Sequence, residues 1–190
     1  RIRVGPDGAL YVSDAAGDGA GAVHRVTASG LEAFIPSGFD YTAGLAFTAN
    51  GDLAVAQTTA AFAAQVSLYD TNGVKVADLS GPTYGHGSND LALDRDGALL
   101  VTGAWGGDVV RIAGDGTTSA FVGGLSYATS IHADDFTGRV SILSSTFTGV
   151  AEDRSIHRFT PIDGLVTGRG SARTECTNEL YGLELVAKRT

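Results

Sequence analysis

The sequence is poor in several residue types on which other protein classes depend. Its 190 residues include one cysteine, no methionine, one tryptophan and four prolines. Because Cys176 has no second cysteine to pair with, an internal disulfide is excluded, and the fold needs a core that is stable without one. Since methionine is absent and the first residues already have a strand pattern, we expect the sequence to be part of a longer polypeptide.

Positive charge is also scarce. Thirteen Lys and Arg residues stand against 21 Asp and Glu residues, which gives a net charge of −8. This balance disfavours a nucleic-acid or anionic membrane partner. No apolar run is long enough to span a membrane, and no signal peptide is visible. The low lysine content, with abundant Ala, Gly, Asp and Arg, is typical of bacterial proteins. We also expect an extracytoplasmic location, either secreted or periplasmic.

No window has a sustained helical period, and a strand–turn–strand unit recurs instead. Apolar runs that precede an Asp or Asn and a Gly start at residues 2, 45, 91 and 131, and a further apolar run starts at 183, with spacings of 43, 46, 40 and 52 residues. Four short strands per unit at this period are typical of β-propeller blades. The third strands are predicted at residues 22–27, 65–70, 108–112 and 155–160.

We therefore predict an all-β fold, a β-propeller of four-stranded antiparallel blades. The blades are expected at about residues 1–40, 41–85, 86–126 and 127–180, with the first strand of another at 181–190. Four blades and one strand do not make a common ring, so a six-bladed ring of which this is a part is favoured over a four-bladed one. Open blade edges invite pairing, and we expect further chain or other subunits to cover them.

Residues 91–112, LALDRDGALLVTGAWGGDVVRI, resemble the NHL repeat, in which an apolar strand, an Asp-x-x-Gly turn and two further apolar strands follow one another. Residues 2–26 and 45–68 are similar. The Gly-Ser-Asn-Asp sequence at 87–90 also resembles the SMP-30/gluconolactonase/strictosidine-synthase-like propellers. This resemblance extends over four units and implies the fold, whereas proteins of this fold differ widely in activity.

The resemblance also implies a candidate calcium site. Metal-dependent members of the SMP-30 group hold a divalent cation on the channel axis with Glu, Asn and Asp side chains, and only Asn89 and Asp90 match that pattern here. No acid occupies the matching position at residues 2–4 or 126–130. The incomplete set counts against lactonase activity. In the alternative interpretation, Asn89 and Asp90 hydrogen-bond the turn backbone.

A ligand site is expected where the loops that precede the innermost strands meet the loops between second and third strands, because both lie on one face of a propeller. A rim of aromatic side chains and carboxylates suits a small polar molecule, a carbohydrate or a peptide. In the alternative, these aromatic side chains pack between blades. The candidate aromatic residues are Tyr41, Tyr84, Tyr127, Tyr181 and Trp105.

Candidate catalytic residues are His86, in the longest Gly-rich loop, and His132, in an innermost strand. Together with Asn89 and Asp90 they would bind a cation or activate water if neighbouring blades bring them together. His132 is otherwise a core histidine, and no established hydrolase or phosphate-binding motif is present. The sequence thus favours a ligand- or protein-binding scaffold. The alternatives are a lactonase-type metal-dependent hydrolase and a structural subunit of a larger extracellular assembly.

Overall fold

The computed structural model describes residues 1–79, 87–103, 107–134, 136–145 and 154–159, and the backbone of 183–185. Within these ranges the regular elements are all β-strands. The all-β prediction is confirmed. Among the described residues there is no helix that is long enough and apolar enough to cross a membrane.

The strands form four sheets of four strands in chain order. Neighbouring strands in the chain are neighbours in the sheet, and all pairs are antiparallel except the last. The first sheet holds β1 (Ile2–Val4), β2 (Leu10–Asp14), β3 (Gly21–Thr27) and β4 (Gly30–Phe39); the second holds β5 (Tyr41–Phe47), β6 (Leu53–Thr58), β7 (Ala64–Tyr69) and β8 (Lys75–Asp78); the third holds β9 (Ser88–Leu93), β10 (Leu99–Gly103), β11 (Val109–Ile112) and β12 (Thr118–Val122); the fourth holds β13 (Ala128–Ala133), β14 (Val140–Ser145), β15 (Arg154–Phe159) and β16 (Leu183–Leu185).

A turn that contains Gly forms the hairpin between the first and second strands of each sheet, and in the third sheet the turn has the sequence Asp-x-x-Gly. In the third sheet the Asp94 carboxylate accepts hydrogen bonds from the backbone amides of Asp96 and Ala98, both at 2.9 Å. Gly97 has φ +82° and donates its amide to the Asp94 carbonyl at 3.0 Å. This left-handed conformation favours glycine, and Asp94 is a turn-forming residue.

The core lies between successive sheets, which pack face to face. Phe39, Leu45 and Leu53 belong to the cluster between the first two sheets. A second cluster joins sheets two and three, and a third joins sheets three and four. The first strands β5, β9 and β13 are adjacent in this stack. We call the end of each sheet at which its first strand begins the upper end, and the stack places the four upper ends together.

The strand β16 differs from the sequence prediction. Its residues were predicted to begin the innermost strand of a fifth unit, but it pairs in parallel with β15 at the edge of the fourth sheet, with His157 opposite Leu183. Parallel neighbours require a crossover connection of about a dozen residues or more, and 23 residues separate β15 from β16. The pattern of alternating apolar residues cannot reveal which neighbour a three-residue strand will pair with.

Candidate functional site at the upper ends of the first strands

Sheets two and three are joined at their upper ends by buried hydroxyl groups. The Ser88 amide donates to the Thr58 hydroxyl at 3.0 Å, and the Thr58 hydroxyl donates to the Ser88 carbonyl at 3.3 Å. The Ser88 hydroxyl in turn donates to the Gln57 carbonyl at 3.3 Å. All three residues are buried. These bonds fix the start of β9 against the end of β6.

Asn89 links the third sheet to the fourth. Its side-chain amide donates to the Ala128 carbonyl at 2.8 Å, and its carbonyl oxygen accepts a long hydrogen bond, 3.5 Å, from the Tyr127 hydroxyl. Asn89 and Tyr127 are both half-buried. The two sequence candidates therefore lie side by side at the upper end.

Asp90 is a buried carboxylate held by several donors. It is 1% exposed, and its Oδ2 accepts from the Ser130 hydroxyl at 2.7 Å and the Ile131 amide at 3.2 Å. Its Oδ1 accepts from the Leu91 amide at 3.0 Å and from Arg3 Nη2 at 3.4 Å. A buried charge is tolerated when donors and an opposite charge satisfy it in this way. The carboxylate connects β9 to β13 and β1.

Arg3 of β1 and Arg1, the residue before β1, reach across to the third and fourth sheets. Arg1 Nε lies 3.7 Å from Asp90 Oδ1, and its guanidinium also donates to the Thr129 carbonyl. Arg3 donates to the Leu91 carbonyl at 3.3 Å. Two guanidinium groups thus lie against one buried carboxylate. Neither arginine is among the residues predicted from the sequence, although their i, i+2 spacing in an extended segment puts both side chains on one face.

Tyr41 presents an aromatic ring at the upper end of the second sheet. Its residue is 46% exposed, and it lies opposite Thr58 in the β5–β6 register. A Cβ built on Gly17 would lie 3.5 Å from the Tyr41 ring, so the ring stands close to the backbone of the first sheet's loop. Tyr41 is thus accessible beside the Thr58–Ser88 link, a position from which it can contact a ligand.

His132 is not brought together with Asp90. The Ile131 side chain faces the third sheet in the buried cluster, and successive strand residues point to opposite faces. His132 therefore lies on the other face of the fourth sheet, opposite Ser141 and exposed. The other candidates, His86, Tyr84, Trp105 and Tyr181, lie outside the described residues.

The described residues do not fit a calcium site around Asn89 and Asp90. Calcium takes six to eight oxygen ligands, whereas both Asp90 oxygens already accept hydrogen bonds from protein donors. The Asn89 carbonyl oxygen accepts from Tyr127. Across the described part of the chain, no group of three or more His, Cys, Asp or Glu side chains is placed to hold a metal ion.

Comparison with known proteins gives the architecture. No family model matches the chain, and no curated protein matches it. Solved structures do match, all at low sequence identity. A gluconolactonase from Xanthomonas campestris has a TM-score of 0.60 and 20% identity, with 75% of this chain and 52% of that chain covered. The fold is a β-propeller fold.

Two further propellers have a similar arrangement of sheets. Virginiamycin B lyase from Staphylococcus aureus has a TM-score of 0.61 and 18% identity, covering 84% of this chain and 54% of that one. Regucalcin from Agrobacterium tumefaciens, a calcium-binding protein, has a TM-score of 0.58 and 15% identity, covering 80% and 55%. The chain thus spans about half the length of the propellers it matches, and its structural neighbours are SMP-30/gluconolactonase-like and related proteins.

Proposed function

We propose that this propeller is a binding scaffold whose ligand contacts the upper ends of the first strands. The observation that carries the proposal is the continuous series of contacts Thr58–Ser88, Asn89–Tyr127 and Asp90–Ser130, which joins three sheets at one end. These bonds hold the neighbouring side chains in fixed positions. A preorganised polar surface loses little entropy when it binds a ligand.

The chemistry of the accessible groups favours a small polar ligand with several hydroxyl groups, such as a carbohydrate. Tyr41 offers an exposed ring, and Asn89 and Tyr127 are half-buried polar side chains held in place by hydrogen bonds. Arg1 and Arg3, whose side chains are 37% and 33% exposed, add guanidinium donors. An aromatic face beside a few fixed polar groups is the usual composition of a site for such ligands. A peptide remains the second ligand class for this surface.

The proposal is tested by an NMR titration of the ¹⁵N-labelled chain with D-glucose. Amide shifts are expected at Tyr41, Asn89 and Tyr127, with a Kd no weaker than about 1 mM. Tyr41→Ala should weaken binding at least tenfold, because the ring contact is lost. Phe136→Ala is the matched control, since Phe136 is 97% exposed in the turn between β13 and β14, at the lower end. Shifts confined to the lower turns, or none up to about 10 mM sugar, would overturn the proposal.

A lactonase-type hydrolase is the alternative, and the gluconolactonase among the neighbours is what favours it. The same titration with glucono-δ-lactone, followed by the release of acid, distinguishes the two. If the protein is only a binding scaffold, the lactone hydrolyses at its uncatalysed rate with and without calcium. Turnover that requires calcium would establish the hydrolase.

A further inference from the structure

The sequence contains two Asn-Gly pairs, and each lies in a hairpin turn of the second sheet. Asn50 and Gly51 lie between β5 and β6. Asn72 and Gly73 lie between β7 and β8. Both asparagines are exposed, and the two glycines have left-handed φ angles of +88° and +77°. An Asn-Gly pair is chemically labile, because glycine has no side chain to keep its amide nitrogen away from the asparagine side chain. Each turn is therefore a candidate for spontaneous deamidation.

The turn that contains Asn72 is held tightly on two sides. The Asp70 carboxylate accepts hydrogen bonds from the backbone amides of Asn72 and Val74, both at 2.9 Å. A Cβ built on Gly73 would overlap the Phe34 carbonyl oxygen, so the turn packs directly against the backbone of β4. Deamidation requires the glycine nitrogen to swing toward the asparagine side chain, and the turn must open for this to happen. The contacts of this turn oppose its opening.

The turn that contains Asn50 has fewer supporting contacts. Two backbone hydrogen bonds close it, from the Gly51 amide to the Thr48 carbonyl and from the Thr48 amide to the Asp52 carbonyl, each at 2.9 Å. One side-chain bond supports it, from the Asp52 amide to the Thr48 hydroxyl at 3.1 Å. A Cβ built on Gly51 would meet only the Pro6 side chain, at 3.9 Å. Within the described part of the chain, no hydrogen bond holds the Asn50 side chain. This turn can open with little loss of contact to its neighbours.

We propose that Asn50 is a site of spontaneous deamidation in the folded protein and that Asn72 is protected from it. The Gly51 amide nitrogen loses its proton to hydroxide and bonds to the side-chain carbonyl carbon of Asn50. The bond from that carbon to the side-chain nitrogen breaks, and the nitrogen takes a proton from water and leaves as ammonia. Water then hydrolyses the resulting succinimide at one of its two carbonyls. One product is aspartate, and the other is isoaspartate, whose main chain runs through the former side chain.

The two products differ in how they fit the turn. The residue before the turn glycine is Asp7 in the first sheet and Asp96 in the third, so aspartate is compatible with this position. Isoaspartate adds one carbon to the main chain between the register partners Phe47 and Leu53, and the hydrogen bonds that close the turn no longer fit. Asn50→Asp should therefore keep the unfolding midpoint of the wild-type protein, whereas the isoaspartyl form should unfold at a lower temperature.

Peptide mapping with endoproteinase Asp-N tests the proposal, because this enzyme cuts before aspartate and separates the two asparagines. Asn50 falls in the fragment 40–51 and Asn72 in the fragment 70–77. Conversion of Asn50 to aspartate creates a new cut before this position. Isoaspartate leaves the fragment intact, with the mass change that replaces an amide by an acid. When the folded protein is incubated at mildly alkaline pH, Asn50 should be converted at least about tenfold faster than Asn72, since opening the second turn breaks more contacts.

Incubation in urea is the control for the role of the fold. Without the turns, the two Asn-Gly pairs should react at similar rates. Asn50→Gln should remove the reaction in the fragment 40–51 and leave that of Asn72 unchanged, because the longer side chain closes a ring more slowly. Equal rates in the folded protein, faster conversion of Asn72, or an Asn50 that reacts only in urea would each overturn the proposal. An isoaspartyl form as stable as Asn50→Asp would contradict the expected effect on the turn.

Discussion

Gly44→Ala is expected to destabilise the protein strongly, by at least about 3 kcal/mol or about 6–12 °C in the unfolding midpoint. Gly44 lies in β5 where it approaches β9. A Cβ built on it would lie 2.4 Å from the Leu91 nitrogen and 2.7 Å from two Asp90 backbone atoms. Because these are backbone atoms of a packed inner strand, no side chain can rotate away to relieve the contact. Thermal denaturation followed by circular dichroism measures the loss.

Gly114→Ala is the matched control for this substitution. Gly114 lies between β11 and β12, has no atom within 4 Å of a built Cβ and does not have a positive φ. Alanine there should be neutral or stabilise by up to about 1 kcal/mol, since it restricts the unfolded chain. If the two substitutions have the same small effect, β5 and β9 are not in the close contact described here.

Asp90→Ala is expected to cost about 3–5 kcal/mol, since it removes a buried charge and leaves its partners unsatisfied. The Ser130 hydroxyl, the Ile131 amide and the Arg3 guanidinium would lose an acceptor in a site that water does not reach freely. Urea unfolding of the two proteins, with the midpoint and slope compared, gives the difference directly.

An exposed aspartate gives the comparison for Asp90. Asp115 accepts hydrogen bonds from the Thr117 amide and hydroxyl at 2.9 and 2.6 Å in an exposed turn, which lower the pKa of Asp115. Asp115→Ala should cost no more than about 1.5 kcal/mol. If calcium stabilises the wild-type protein but not Asp90→Ala, then Asp90 binds the cation and its role as a structural link is wrong.

The local repeat could be predicted from the sequence because its signals are local. Alternating apolar residues and Gly-containing turns depend on neighbours within about ten residues. The four third strands were therefore predicted within one residue of β3, β7, β11 and β15. The Asp-x-x-Gly turn within residues 91–112 was predicted for the same reason, and the two hydrogen bonds that its first residue, Asp94, accepts from the backbone confirm it.

The contacts of the site could not be predicted in the same way, because they join residues far apart in the sequence. Asp90 was recognised as a candidate, but its partners Ser130 and Arg3 lie 40 and 87 positions away. Gly44 carries no local signal either, since it is one of 27 glycines and its role depends on where β9 passes. The ligand role of Tyr41, Asn89 and Tyr127 stays a prediction, as does the six-bladed ring.

The central structural feature is the packing of the first strands β5, β9 and β13 against one another. The interstrand NOE between Gly44 Hα and the Leu91 amide proton tests this packing most directly. The short separation between the Gly44 and Leu91 backbones predicts a strong NOE, accompanied by one between the Ile131 amide proton and the Asp90 side chain. If both NOEs are absent while the hairpin NOEs within each sheet are present, the four sheets exist but their first strands are not packed against one another as described.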